Sequence, residues 1–206
     1  MAGSDSSHKE RHLRFSAAFP LLLAVAVPVS LHAGVIDFEG FPDSTTLTTQ
    51  YLGLTFSNAI ILTAGISLNE FEFPPHSGIN VVSDNNGPMS VSFATPVTSV
   101  SGFFTYAEPL TIDAFNASGT PVGQAVSLFD CNMALSGGPG SSPNELIQVG
   151  FAAGISSVTI IGDPAGGSFV MDDMTYTSGA SAVPEPGALV LVLSGNIILV
   201  SLRRKR

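Results

Sequence analysis

Short runs of β-branched and aromatic residues, each bounded by Gly, Pro, Asn or Ser, recur along residues 34–178. Val35-Ile36-Asp37-Phe38-Glu39 alternates apolar and polar positions, as a strand with one buried face does. Comparable runs cover 54–57, 79–83, 89–94, 97–106, 110–116, 122–129, 145–151, 158–162 and 168–176. Turn chemistry separates them, in Asp84-Asn85-Asn86-Gly87-Pro88, Asn116-Ala117-Ser118-Gly119 and Gly162-Asp163-Pro164. No stretch of this region carries a capped 3.6-residue period, and the Gly- and Ser-rich residues 136–143 predict a surface loop. About ten strands in one domain-sized span predict an antiparallel β-sandwich over 34–177, most simply a jelly roll. Residues 178–183 then read as a linker.

The two ends follow a different pattern. Lys9, Arg11 and Arg14 precede an apolar run at 15–27, and Leu31-His32-Ala33 offers a cleavage site before Gly34. Residues 1–33 therefore read as a signal peptide for general secretion. At the other end, Val183-Pro184-Glu185-Pro186 leads into an apolar run at 187–202, and then Arg203-Arg204-Lys205-Arg206. A helix over 187–202 would be roughly 24 Å long, shorter than the bilayer core of about 30 Å, and it carries Asn196. The four terminal cations form a charge lock that stays on the cytoplasmic side and leaves everything before Val183 outside. Pro184 and Pro186 fix an extended approach to the membrane.

That tail, a Val-Pro-Glu-Pro motif, an apolar run and a basic cluster in fixed order, resembles the PEP-CTERM sorting signal, also catalogued as the C-terminal domain of ice-binding proteins. Asn196 departs from the family's usual Leu, Gly or Ala. The resemblance spans 184–206 and implies a Gram-negative, exopolysaccharide-making bacterium. It also implies processing near the motif by an exosortase, so that an inner-membrane-anchored intermediate gives way to a product at the cell surface or in the extracellular matrix.

Charge narrows the functional classes. All seven Lys and Arg lie in the first fourteen or last four residues, so 15–202 has none. Residues 34–178 carry thirteen Asp and Glu and one histidine, His76. Nucleic acid is excluded as a partner, because phosphate binding needs cations. Without a cation for a salt bridge, each carboxylate is expected to be solvated, protonated or bound to a metal. Cys131 is the single cysteine, so no intramolecular disulfide forms, and it is expected to pack as a small side chain.

Candidate chemistry is sparse. There is no Gly-x-Ser-x-Gly elbow, and His76 follows Pro74-Pro75, a poor place for a triad histidine. Asp37 and Glu39 are expected on one face of the first strand, and Asp172-Asp173 in the last. First and last strands pair in many jelly rolls, which would gather these acids into an oxygen-rich site suited to calcium. The pattern also resembles galactose-binding-like carbohydrate modules. That resemblance implies a structural calcium held by Glu39 and Asp172, with Asp37 and Asp173 as helpers. No tryptophan is present, so a sugar site would need an exposed member of Tyr51, Tyr106 and Tyr176, or a polar pocket. The reading is an exported, noncatalytic surface or matrix protein, with exopolysaccharide as a possible contact. One alternative is a calcium-stabilised carbohydrate-binding module; a second is a glycoside hydrolase using two of the carboxylates.

Overall fold

The computed structural model describes residues 33–178, which form ten strands and, among the described residues, no helix. They are β1 (Ala33–Ile36), β2 (Thr46–Leu47), β3 (Leu54–Ser57), β4 (Ala59–Thr63) and β5 (Asn80–Asp84). After them come β6 (Met89–Tyr106), β7 (Thr111–Phe115), β8 (Pro121–Val126), β9 (Glu145–Ile161) and β10 (Phe169–Ser178). The ladders between them are all antiparallel.

β6 and β9 set the architecture. They are 18 and 17 residues long, and each belongs to two layers in turn. The first half of β6 and the second half of β9 pair with each other, with β3 and β7 outside them and β8 beyond β7. The second half of β6 pairs on one side with the first half of β9 and on the other with β10, which in turn holds β1 and the β5-β4-β2 ladder. Register shifts between Ser92 and Ser99 mark the passage from layer to layer. Pro96 sits there without an N–H to give to the ladder. Across from it Gly154 has φ +111°, and a Cβ added to it would lie 3.0 Å from the Pro96 ring. The separate strands expected at 89–94 and 97–106, and at 145–151 and 158–162, are therefore two continuous bent strands.

Burial shows what the bend achieves. Met89, Val91 and Phe93 of β6 are buried while Ser90 and Ser92 are not, and the same alternation puts Ile147 and Val149 of β9 inside. The buried side chains of both halves join one cluster. Phe38, just beyond β1, meets Phe56 of β3 edge-on at 6.5 Å, a contact from one layer to the other. With no helix among the described residues to cover it, the main core is closed by the two layers themselves. The fold is an all-β antiparallel sandwich.

Two elements differ from expectation. The first strand stops at Ile36 because Phe38 takes φ +61° to drive its ring into the core. Strands β2 and β4 were not expected; β4 follows β3 after the single residue Asn58, φ +53°, and pairs with β5 and β2 where β3 pairs with β6. The long connections 64–79 and 127–144 contain no strand, in keeping with the loop expected at 136–143. The first of them places Leu68 over Val81 and Val170, on the side of β5 and β10 away from the main core.

Candidate functional site

The last strand creates the site. Asp173 takes φ +44° at a bulge in β10, so Asp172 and Asp173 both point into the covering segment instead of alternating across the sheet. Asp172 is 1% exposed, and its carboxylate accepts the backbone N–H groups of His76 and Ser77 at 2.8 Å and of Asp173 at 2.7 Å. Asp173 pairs with His76 Nδ1 at 2.7 Å and accepts the Ser77 hydroxyl at 2.9 Å. The His76 ring lies flat on Phe103 of β6, with centroids 3.5 Å apart.

Glu39 holds the other end of the same segment. Its Oε1 accepts the N–H groups of Ile79 and Asn80, both at 2.8 Å. Between the two anchors Gly78 has φ +55°, and a Cβ there would collide with the Glu39 carboxylate, so glycine is required by both conformation and space. Asn80, buried, completes the anchor: it donates to Phe38 O and Phe41 O and accepts the Thr63 hydroxyl at 2.6 Å.

Of the four acids expected together, Glu39, Asp172 and Asp173 converge on residues 76–80. β1 and β10 do pair, with Val35 opposite Thr175 and Ile36 opposite Met174. Asp37 stays outside, exposed, accepting only Glu39 N–H at 3.3 Å within its own turn. From sequence, His76 is weighed only as a triad histidine in a loop after Pro74-Pro75, and Ser77, Asn80 and Phe103 are not picked out as site residues. Among the described residues, no group of three or more His, Cys, Asp or Glu is arranged to hold a metal ion.

Backbone amides are a fate for carboxylates that the charge reading did not include. Asp84 accepts Ser168 and Phe169 N–H at 3.0 and 3.2 Å, Glu72 accepts Leu135 and Ser136 N–H at 3.1 and 3.2 Å, and Asp43 accepts Thr63 N–H at 2.8 Å. In a region without Lys or Arg these amides supply the positive dipole ends that cations supply elsewhere. They differ in outcome. Burial pushes the Asp172 carboxyl up to about 6 although three N–H groups pull it down, and burial also raises Asp84. Partly exposed Glu72 is instead held below its ordinary value, chiefly by Leu135 N–H.

A second feature is an open cleft of about 390 Å³ lined by Thr49, Tyr51, Leu52, Thr55, Ser92 and Phe93. Tyr51 is half-buried against Phe38, Phe41 and Phe56, and burial, with help from the Asp37 and Glu39 charges, pushes its phenol up to about 12. Tyr106 is fully buried and bonded to Glu145, and Tyr176 packs beside Phe93. Val183, Pro184, Glu185, Pro186, Arg203, Arg204, Lys205 and Arg206, the helix expected at 187–202, and residues 1–32 of the expected signal peptide lie outside the described residues. No helix among the described residues is long and apolar enough to cross a membrane.

No family model matches the chain, and no curated protein does. Among solved structures it is similar to the K2 cleaved adhesin domain of Lys-gingipain, at 17% identity over 70% of this chain and 99% of that one, with a TM-score of 0.43. It is also similar to CsCBM6-3 from Clostridium stercorarium, solved with cellobiose, at 16% identity over 66% and 92% of the two chains, TM-score 0.34. A third is the family 11 carbohydrate-binding module from Clostridium thermocellum, solved with a β-1,3-1,4-mixed-linked tetrasaccharide, at 14% identity over 73% and 98%, TM-score 0.33.

Proposed function

We propose that this chain is an exported, noncatalytic surface or matrix protein, whose β-sandwich, of jelly-roll or galactose-binding-like type, is delivered by a C-terminal PEP signal processed by an exosortase. The observation that carries the reading is the order Val183-Pro184-Glu185-Pro186, apolar 187–202, Arg203 to Arg206. The described sandwich is consistent with it: its first residue, Ala33, pairs with Thr177 near its last. The noncatalytic part draws support from the acids around residues 76–80, which are engaged in holding backbone. Intact-mass analysis of protein from the native host tests the proposal. The expected species runs from Gly34 to about Pro186; a stable species that retains 1–33 or 187–206 would overturn it.

A second reading, a calcium-stabilised carbohydrate-binding module, is favoured by the cleft, where the Thr49, Thr55 and Ser92 side chains meet Tyr51 and Phe93. In this reading Glu39 and Asp172 would hold the ion with Asp173 as a helper, Asp37 would have to turn inward to join them, and the ion would serve stability alone. Glycan-array binding by the full chain, with and without chelator, together with melting under the same two conditions, tests both parts. A bound glycan supports the module, and a raised Tm with calcium supports the ion. Silence on the array and an unchanged Tm would reject this second reading.

A further inference from the structure

We propose that the Asp163–Pro164 peptide bond, in the turn between β9 and β10, is a built-in scission point at which the Asp163 carboxylate cuts its own backbone in mild acid. It is the chain's one Asp–Pro pair. The turn Asp163-Pro164-Ala165-Gly166 closes with Gly166 N–H donating to the Asp163 carbonyl at 2.9 Å. That N–H points at the oxygen on which negative charge develops when a nucleophile adds to the carbonyl. Ala165 N–H donates to Asp163 Oδ1 at 2.8 Å and holds the carboxylate beside the peptide bond that follows its own residue. The turn is braced from behind. Asp163 N–H donates to Ser168 Oγ at 2.9 Å, Ser168 N–H donates to Asp84, and Gly167 N–H donates to Asp84 O at 3.0 Å.

The step needs only water and protons from the solvent. A carboxylate oxygen of Asp163 attacks the Asp163 carbonyl carbon, and a C–O bond forms as a cyclic anhydride closes. The C–N bond to Pro164 breaks, and its electron pair goes to the proline nitrogen. That nitrogen takes one proton from the acidic solvent as it leaves as a secondary amine, and a second proton turns the new Pro164 terminus into a secondary ammonium. Water then opens the anhydride and leaves Asp163 as a free C-terminus.

Scission divides the chain into 1–163 and 164–206, and β10 goes with the second piece. β10 is bound along one edge by β6 and along the other by β5 and β1. The two pieces therefore stay assembled in the folded state, and a displayed sandwich would be joined to its C-terminal segment by strand pairing alone.

The test holds the full chain in a mildly acidic buffer in which circular dichroism shows it folded, beside a synthetic peptide of residues 158–170. Denaturing electrophoresis and intact mass follow new ends at Asp163 and Pro164. Cleavage in the folded chain is expected to run at least about tenfold faster than in the peptide. It is expected to vanish in Asp163→Asn and to slow in Pro164→Ala, which leaves the turn's hydrogen bonds in place. The fragments are expected to co-elute natively and separate only in denaturant. Equal rates in peptide and folded chain, undiminished cleavage in a folded Asp163→Asn variant, or fragments that part under native conditions would each overturn the proposal.

Discussion

Asp172 accepts three backbone N–H groups, yet burial still carries its carboxyl from the ordinary 3.8 up to about 6. The folded chain therefore holds more proton at this site than the unfolded chain does between those two values. The stability Asp172 contributes is fully present below 3.8 and is lost as pH rises through about 6. Asp43 and Glu72 shift the other way, Asp43 chiefly through the Ser67 hydroxyl, so their contribution is present above the ordinary range and lost as pH falls. Only a difference between parent and variant isolates Asp172. Asp172→Asn keeps an acceptor and removes the titration. Urea midpoints should show the parent losing ground to this variant as pH rises through the window, and carboxyl NMR should place the Asp172 midpoint near 6. A parent that gains on the variant over the same window would show the amides outweighing burial.

Among the elements, β1 depends on one missing side chain. Gly34 faces Tyr176 in the β1–β10 ladder, and a Cβ added there would stand 2.5 Å from the phenol ring. Gly34→Ala should cost about 1–3 kcal/mol by urea unfolding, because β1 must shift or the ring must leave its place beside Phe93. In Tyr176→Ala the collision is gone, so the double variant should be less destabilised than the sum of the singles. Strictly additive costs would show that β1 does not sit against Tyr176. The strands themselves were largely legible, since Leu54–Ser57 or Thr111–Phe115 alternate on their own. What was hidden depended on tertiary geometry. Nothing local in 89–106 says that a strand continues past Pro96, and only Asn58 separates the mostly apolar β4 from β3. The site was half legible for the same reason. Acidic pairs on terminal strands could be read from sequence, but Phe38 ends β1 early, so Asp37 is excluded; Glu39 and Asp172 are held by amides, which every residue but proline offers, and Asp173 by the His76 ring and the Ser77 hydroxyl.

For the whole domain the deciding property is charge of one sign. Residues 34–178 carry thirteen carboxylates and no Lys or Arg, so at neutral pH long-range electrostatics only repel. Among the described residues the single ion pair is His76 with Asp173, and the other anchors are short carboxylate–amide contacts. Added sodium chloride screens repulsion between exposed charges beyond a Debye length of about 10 Å at 0.1 M, and affects contacts near 2.8 Å far less. In a protein held by surface salt bridges the same salt would weaken attraction. Here it has almost none to weaken. The melting temperature of the full chain at neutral pH should therefore rise with sodium chloride through the submolar range. The rise should shrink as pH is lowered toward the isoelectric point near 4.6, where there is less charge to screen. Chloride is preferable to sulfate for this measurement, because sulfate strengthens apolar burial in its own right. A melting temperature that falls with salt at neutral pH would mean that the carboxylate–amide anchors are exposed enough to be screened, and that they, rather than repulsion, dominate the electrostatics of this sandwich.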